Sequence, residues 1–113
     1  MKDSRIYIIH IRDCLDRIKR YTADGQDNFF IDLKTQDAVL RNLETMADAT
    51  GKLPEQWKAT HPEVDWRRIV NFRNFLAHQY LEVQLEVVWQ VIDQELAPLE
   101  VAIEDIARRF WDV

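Results

Sequence analysis

Within the stretch Arg73-Asn74-Phe75-Leu76-Ala77-His78-Gln79-Tyr80, an arginine, a histidine and a tyrosine fall inside one short segment. The arginine supplies a permanent cation whose forked donors match two phosphoryl oxygens. The histidine, with an ordinary pKa of about 6.5, can take or give a proton near neutrality. The phenol two residues further on adds a hydroxyl that can be modified or hydrogen-bonded. This set suits phosphodiester chemistry, in which one group moves a proton and another steadies charge on the phosphoryl oxygens.

The element that must position these groups is a helix. Asp65 has the residue type of an N-cap, and the spacing predicts a helix from Trp66 to about His78. At about 100° per residue, Trp66, Ile69, Val70, Leu76, Ala77 and Tyr80 share one apolar side, and Arg73 lies within it. A guanidinium there is costly without an anionic partner, and Glu44 and Asp48, a turn apart near the end of the preceding long helix, are the candidates. Arg67, Asn71, Asn74 and His78 form a separate polar track at intervals of four, three and four. Phe72 and Phe75 lie beyond the track and are expected to be exposed, which points to a second copy of the chain covering the motif helix. Arg73 and His78 are separated by roughly 140° around an ideal helix, so a shared target needs either an unwound helix end or a two-fold groove. A homodimer through this helix is the expected assembly.

The chain has 113 residues, 47% hydrophobic and 31% charged, which fits one folded domain spanning 1–113. With 2 Gly and 3 Pro there is little turn material, and long helices with short connections are the economical architecture. The single cysteine, Cys14, cannot form an internal disulfide, and no cysteine pair has metal-ligand spacing, so no metal or cofactor is expected. There is no long apolar run and no leader-like start, so a cytoplasmic location without a membrane is expected. A net charge of -5 excludes a broadly basic nucleic-acid surface, and any such contact must be local.

The remaining pattern is helical throughout. Tyr7, Ile8, Ile11, Cys14, Leu15, Ile18 and Tyr21 recur at helical spacing in a first helix from Ser4 to Tyr21. Residues Thr22 to Asn28 carry turn chemistry around Gly25, and the chain is expected to reverse there. A second helix starts near Asp32 or Thr35, carries Val39, Leu40, Leu43, Met46 and Ala47 inward, and stops near Gly51 as a C-terminal glycine. Pro54 suits the first turn of a short helix through Trp57, closed by His61-Pro62. A last amphipathic stretch carries Leu85, Val88, Trp89, Ile92, Leu96, Leu99, Ile103, Ile106 and Phe110, and Pro98 inside it predicts a kink or break near Gln94 to Glu95. The fold class is therefore all-α: an antiparallel bundle of four main helices plus a short connecting helix. His10 and His61 have no acidic neighbour at useful spacing along the chain and are assigned to structure.

Arg73-Asn74-x-x-x-His78-x-Tyr80 resembles the signature of the HepT-like toxins, a branch of the HEPN superfamily of helical ribonucleases. The resemblance covers nearly the whole chain. It includes Tyr21-Thr22, the Phe29-Phe30 approach to Asp32, Gln36-Asp37-Ala38-Val39, Arg41-Asn42-Leu43-Glu44 and Trp66-Arg67-Arg68-Ile69. It continues through Val87-Val88-Trp89 and Leu96-Ala97-Pro98-Leu99. Departures are Ala47-Asp48-Ala49, where relatives often carry Gly-Glu-Ala, and Asn71-Phe72, where Gly-Met is frequent.

The resemblance implies a HEPN-like bundle and a metal-independent endoribonuclease that forms a 2′,3′-cyclic phosphate. Arg73 and His78 would be the catalytic pair, supported by Asn74, Asp48 and Glu44. It also implies a type VII-like toxin-antitoxin system, in which a small nucleotidyltransferase antitoxin of the MNT type silences the toxin by transferring AMP to Tyr80. The competing class is a noncatalytic helical module that binds a nucleotide or a partner's phosphate without reacting.

Overall fold

The computed structural model describes residues 3–78 and 84–111, with the side chains of 77, 78 and 111 outside that description. Among the described residues there are seven helices and no strand, so the all-α expectation holds. They are α1 (Arg5–Tyr21), α2 (Gly25–Ile31), α3 (Leu33–Gly51), α4 (Glu55–Lys58), α5 (Trp66–His78), α6 (Leu85–Gln94) and α7 (Leu96–Trp111). Helix α3 packs against both α1 and α5, and α1 packs against α7, which also receives α6 and α4. The core is the apolar stripe of each long helix: Ile8, Ile11, Leu15 and Ile18 from α1, Val39, Leu43 and Met46 from α3, Leu99, Ile103 and Ile106 from α7.

The helix boundaries follow local chemistry. Asp32 caps α3 by accepting from the Lys34 amide at 3.2 Å and from the Thr35 hydroxyl at 2.7 Å. Asp65 caps α5 by accepting from the Arg68 amide at 3.0 Å. The break foreseen in the last stretch falls at Glu95, between α6 and α7. Pro98 is the third residue of α7, where the missing amide hydrogen would have no partner within the helix, so it ends α6 without weakening α7.

Three expectations are corrected. The segment 22–28 is not all turn: Gly25 adopts φ 91, which concentrates the reversal in one residue and lets the chain enter α2 directly. That helix buries Phe29 against Phe30 and Trp89, and the buried Gln36 amide donates to the Phe29 carbonyl at 2.9 Å. Helix α3 does end at Gly51, as expected, but Pro54 caps α4 from outside rather than entering its first turn. A Cβ on Gly51 would lie 3.1 Å from Val70 Cγ2, so the missing side chain lets α3 and α5 approach closely at this point.

The third correction concerns His61, which does have acidic neighbours. Its Nδ1 lies 2.8 Å from Glu63 and its Nε2 lies 2.7 Å from Asp105 of α7. Carboxylates can only accept, so both ring nitrogens donate and the ring is a cation fixed between the α4–α5 connection and α7. Glu63 first, and Asp105 after it, raise the histidine's pKa against the opposing effect of burial. Asp105 is lowered to about 2 by Arg109 and then by His61. Beside this ion pair Trp57 of α4 stacks on Phe110 of α7 with ring centroids 5.3 Å apart.

A raised histidine pKa contributes stability that is complete below the unfolded value of about 6.5 and is lost as pH rises through the folded value. His61→Gln should therefore lower the melting temperature at pH 6 by about 5 °C, with a smaller difference at pH 9. Thermal unfolding of both chains across that range checks this; an equal difference at both pH values would show that His61 acts only by packing.

Candidate functional site

The motif helix α5 starts where Trp66 is pinned by its indole N–H, which lies 3.1 Å from the Lys58 carbonyl and 3.0 Å from the His61 carbonyl. From there Ile69 and Leu76 turn into the core, and Val70 faces Gly51. Arg73 lies on this same side, as the count around the helix predicts. Its side chain is 37% exposed, and its Nε is the one buried side-chain nitrogen or oxygen without a hydrogen-bond partner among the described residues.

The partners of Arg73 are unequal. Asp48 Oδ1 stands 3.9 Å from Nε, close enough for attraction and too far for a hydrogen bond. Asp48 places its other oxygen 3.1 Å from Lys52. An aspartate has one methylene fewer than a glutamate, and at this position the shorter stem stops short of the guanidinium. Glu44, the other candidate, makes no hydrogen bond or ion pair with a described residue.

The opposite end of the guanidinium turns sideways. Arg73 Nη1 donates to Asn74 Oδ1 at 3.3 Å, so the cation leans from the apolar stripe toward the polar track. Asn74 and His78 are separated by about 40° around the helix, against roughly 140° for Arg73 and His78. Asn74 thus narrows within one chain the angular gap that the helix imposes. The track itself is open, with Arg67, Asn71 and Asn74 all exposed. The backbone of His78 closes α5, its side chain lies outside the described residues, and so does the whole of Tyr80.

Phe72 and Phe75 are not exposed as expected. They are half-buried, pack edge to face with centroids 5.8 Å apart, and border the core. Together with Leu43, Met46, Val91 and Leu99 they line an apolar cavity of about 300 Å³. The ion pair between Arg68 and Glu95, 3.3 Å apart, involves two further lining residues. A count around α5 alone could not find this, because the residues that complete the cavity come from α3, α6 and α7.

Among the described residues no group of three or more His, Cys, Asp or Glu side chains is arranged to hold a metal ion. No helix among them is long and apolar enough to cross a membrane.

With a helical fold and an arginine drawn toward a polar track, the class of protein can be stated. The chain belongs to the Ribonuclease HepT-like family, which it matches over residues 11–106. It is 30% identical over 103 residues to "Probable ribonuclease HepT" of Thermococcus cleftensis, covering 90% of this chain and 94% of that protein. It is 32% identical over 110 residues to a "Putative RNase" of Methanocaldococcus jannaschii, covering 93% and 91%. A larger protein of the same organism, named "Gamma-glutamylcyclotransferase and putative RNase", is 31% identical over 100 residues, covering 88% of this chain but only 45% of the relative. No solved structure matches the chain.

Since Arg73 Nε is buried and unpaired, its replacement by an apolar side chain of similar length removes a penalty. Arg73→Met should keep the fold or stabilise it by up to about 1 kcal/mol in chemical denaturation, while losing whatever the cation does for ligand. A large loss of stability would mean that the Asp48 and Asn74 contacts hold the helix.

Proposed function

We propose that the chain is a toxin acting as a metal-independent endoribonuclease, with Arg73 and His78 as the catalytic pair. The observation that carries this reading is the half-buried Arg73, kept on an apolar face with an unpaired nitrogen and turned toward Asn74. The side chain is 37% exposed, and its terminal nitrogens make a single hydrogen bond, to Asn74, so they have donors to spare for a phosphate. Family membership adds the ribonuclease class.

The reaction follows from the residue types. His78 takes the proton of a ribose 2′-hydroxyl, the freed oxygen bonds to the adjacent phosphorus, and the bond to the 5′-oxygen breaks. The departing oxygen takes up a proton from water or from the protonated His78 of a second copy. Arg73 neutralises charge gathering on the phosphoryl oxygens, and Asn74 orients the guanidinium. The product is a 2′,3′-cyclic phosphate, and DNA, lacking the hydroxyl, is not a substrate. A homodimer through the motif helix would set two such half-sites side by side.

Regulation belongs to the same proposal. A nucleotidyltransferase antitoxin transfers AMP from ATP to the Tyr80 hydroxyl, which loses its proton as pyrophosphate leaves, placing an anion and a bulky nucleoside two residues from His78. The added phosphate competes for Arg73, and the nucleoside blocks the track.

Cleavage of a defined RNA in the presence of chelator tests the chemistry. The unmodified chain should yield a cyclic-phosphate end, and His78→Ala should lower the rate by at least about 100-fold with its helical spectrum unchanged. Retained cleavage in His78→Ala defeats the assignment of the base; RNA bound but never cut by the unmodified chain supports the noncatalytic module instead. For regulation, co-expression with a nucleotidyltransferase antitoxin of the MNT type should add mass in whole AMP units at Tyr80 and abolish cleavage. Silencing without any mass change would point to occlusion by the partner.

A further inference from the structure

The end of α3 that meets Arg73 brings a second cation with it. Lys52, the residue following α3, reaches back one turn so that its ammonium lies 3.1 Å from Asp48 Oδ2. The other oxygen of the same carboxylate faces Arg73 Nε at 3.9 Å. One carboxylate is thus divided between cations from two different elements, and neither cation has a second carboxylate within ion-pair distance among the described residues. Asp105 is also shared, among His61, Arg108 and Arg109, but it holds each of them at 3.2 Å or less, whereas Arg73 stays 3.9 Å from Asp48. Glu44, one turn before Asp48 and about 6 Å from it along the helix, makes no ion pair with either cation.

The two cations also differ in kind and in freedom. Arg73 is a planar fork hydrogen-bonded at one end, to Asn74, with Asp48 3.9 Å from the other. Lys52 is a point charge on a flexible stem with its side chain 53% exposed. An exposed Lys–Asp pair one turn apart is weak in water, so an incoming anion can take the ammonium from Asp48 at little cost. The close approach of Gly51 to Val70 fixes where the base of the lysine stands relative to α5.

We propose that Lys52 is a substrate-binding residue: its ammonium contacts a backbone phosphate of single-stranded RNA neighbouring the one held by Arg73. Asp48 parks both cations in the free protein, and the RNA phosphates replace it as their counter-charge on binding. This rests on the ribonuclease reading of Arg73 and His78 and adds to it a local cationic footprint on an acidic chain.

The test is binding of a short single-stranded RNA, in a series of salt concentrations, to chains carrying His78→Ala so that the RNA is not consumed. Adding Lys52→Gln should weaken binding several-fold at low salt and flatten the plot of log affinity against log salt by about 0.7, the share of one phosphate contact. Lys52→Arg should restore both quantities, which separates charge from any change in folding. In the otherwise unmodified chain Lys52→Gln should raise KM and leave kcat unchanged. If affinity, slope and KM all stay as they were while the unmodified chain still cleaves RNA, Lys52 is only a surface partner of Asp48, and the ribonuclease reading stands without it. If the unmodified chain does not cleave and the His78→Ala chain binds no RNA, the ribonuclease reading falls and this inference falls with it.

Discussion

Arg73 sits on the side of α5 that packs against the bundle, and the surrounding elements are arranged around the consequence. A cation in that position must be desolvated in part, and desolvation is tolerable only where anions and dipoles replace water. Helix α3 supplies one carboxylate, Asp48, because Gly51 at its end has no side chain to hold Val70 away. The same residue that brings the helices together therefore brings the counter-charge within 3.9 Å and no nearer. A glutamate there would have the reach to close the pair and leave the guanidinium committed. With aspartate, the guanidinium keeps an unpaired nitrogen and leans on Asn74, which directs it toward the side of the helix where the polar track runs.

The frame that holds α3 and α5 in place is conventional in its forces and specific in its fastenings. Apolar stripes from α1, α3 and α7 make the shared core, and burial of their Ile, Leu and Val side chains supplies the driving force. Fastening falls to pairs that link distant segments: Arg12 with Glu104 between α1 and α7, His61 with Asp105, and Trp57 with Phe110. The latter two pairs lie close in sequence to the start of α5, so the helix that carries the site is anchored at its first turn while its last residue leads into the motif's end. An anchored beginning and an open polar face suit a helix that must present side chains to a ligand.

Much of this was readable from residue types because the determinants are local. Asp32 and Asp65 announce helix starts through their own side chains, Pro98 announces the break before α7, and the placement of Arg73 on the apolar side follows from counting. What escaped is what depends on elements far apart in the chain. Asp105 is 44 residues from His61, so no spacing rule connects them. Phe72 and Phe75 look exposed on a single helix and become cavity walls only once α6 and α7 lie beside them. Helix α2 was concealed by its own turn-forming residues, since Gly25 at positive φ completes the reversal alone and frees the following six residues to coil. Lys52 was passed over for the same reason: the carboxylate it pairs with is shared with Arg73, two helices further along the chain.

Under the proposal that Arg73 and Lys52 meet RNA phosphates, the division of Asp48 between them is how an acidic chain would keep a site for an anion. With a net charge of -5, the long-range field repels a polyanion, and only short-range contacts can reverse that. Full pairing of every cation would remove them, and leaving them bare on an apolar face would cost stability. Sharing one short carboxylate between two cations avoids both extremes, because each is steadied in the free protein and neither is saturated. A phosphate arriving at that point meets donors already oriented by Asn74 and Asp48 and has only a weak, half-solvated pair to displace. In that proposal the ion pair at 3.9 Å leaves the exposed terminal nitrogens of the arginine uncommitted to Asp48.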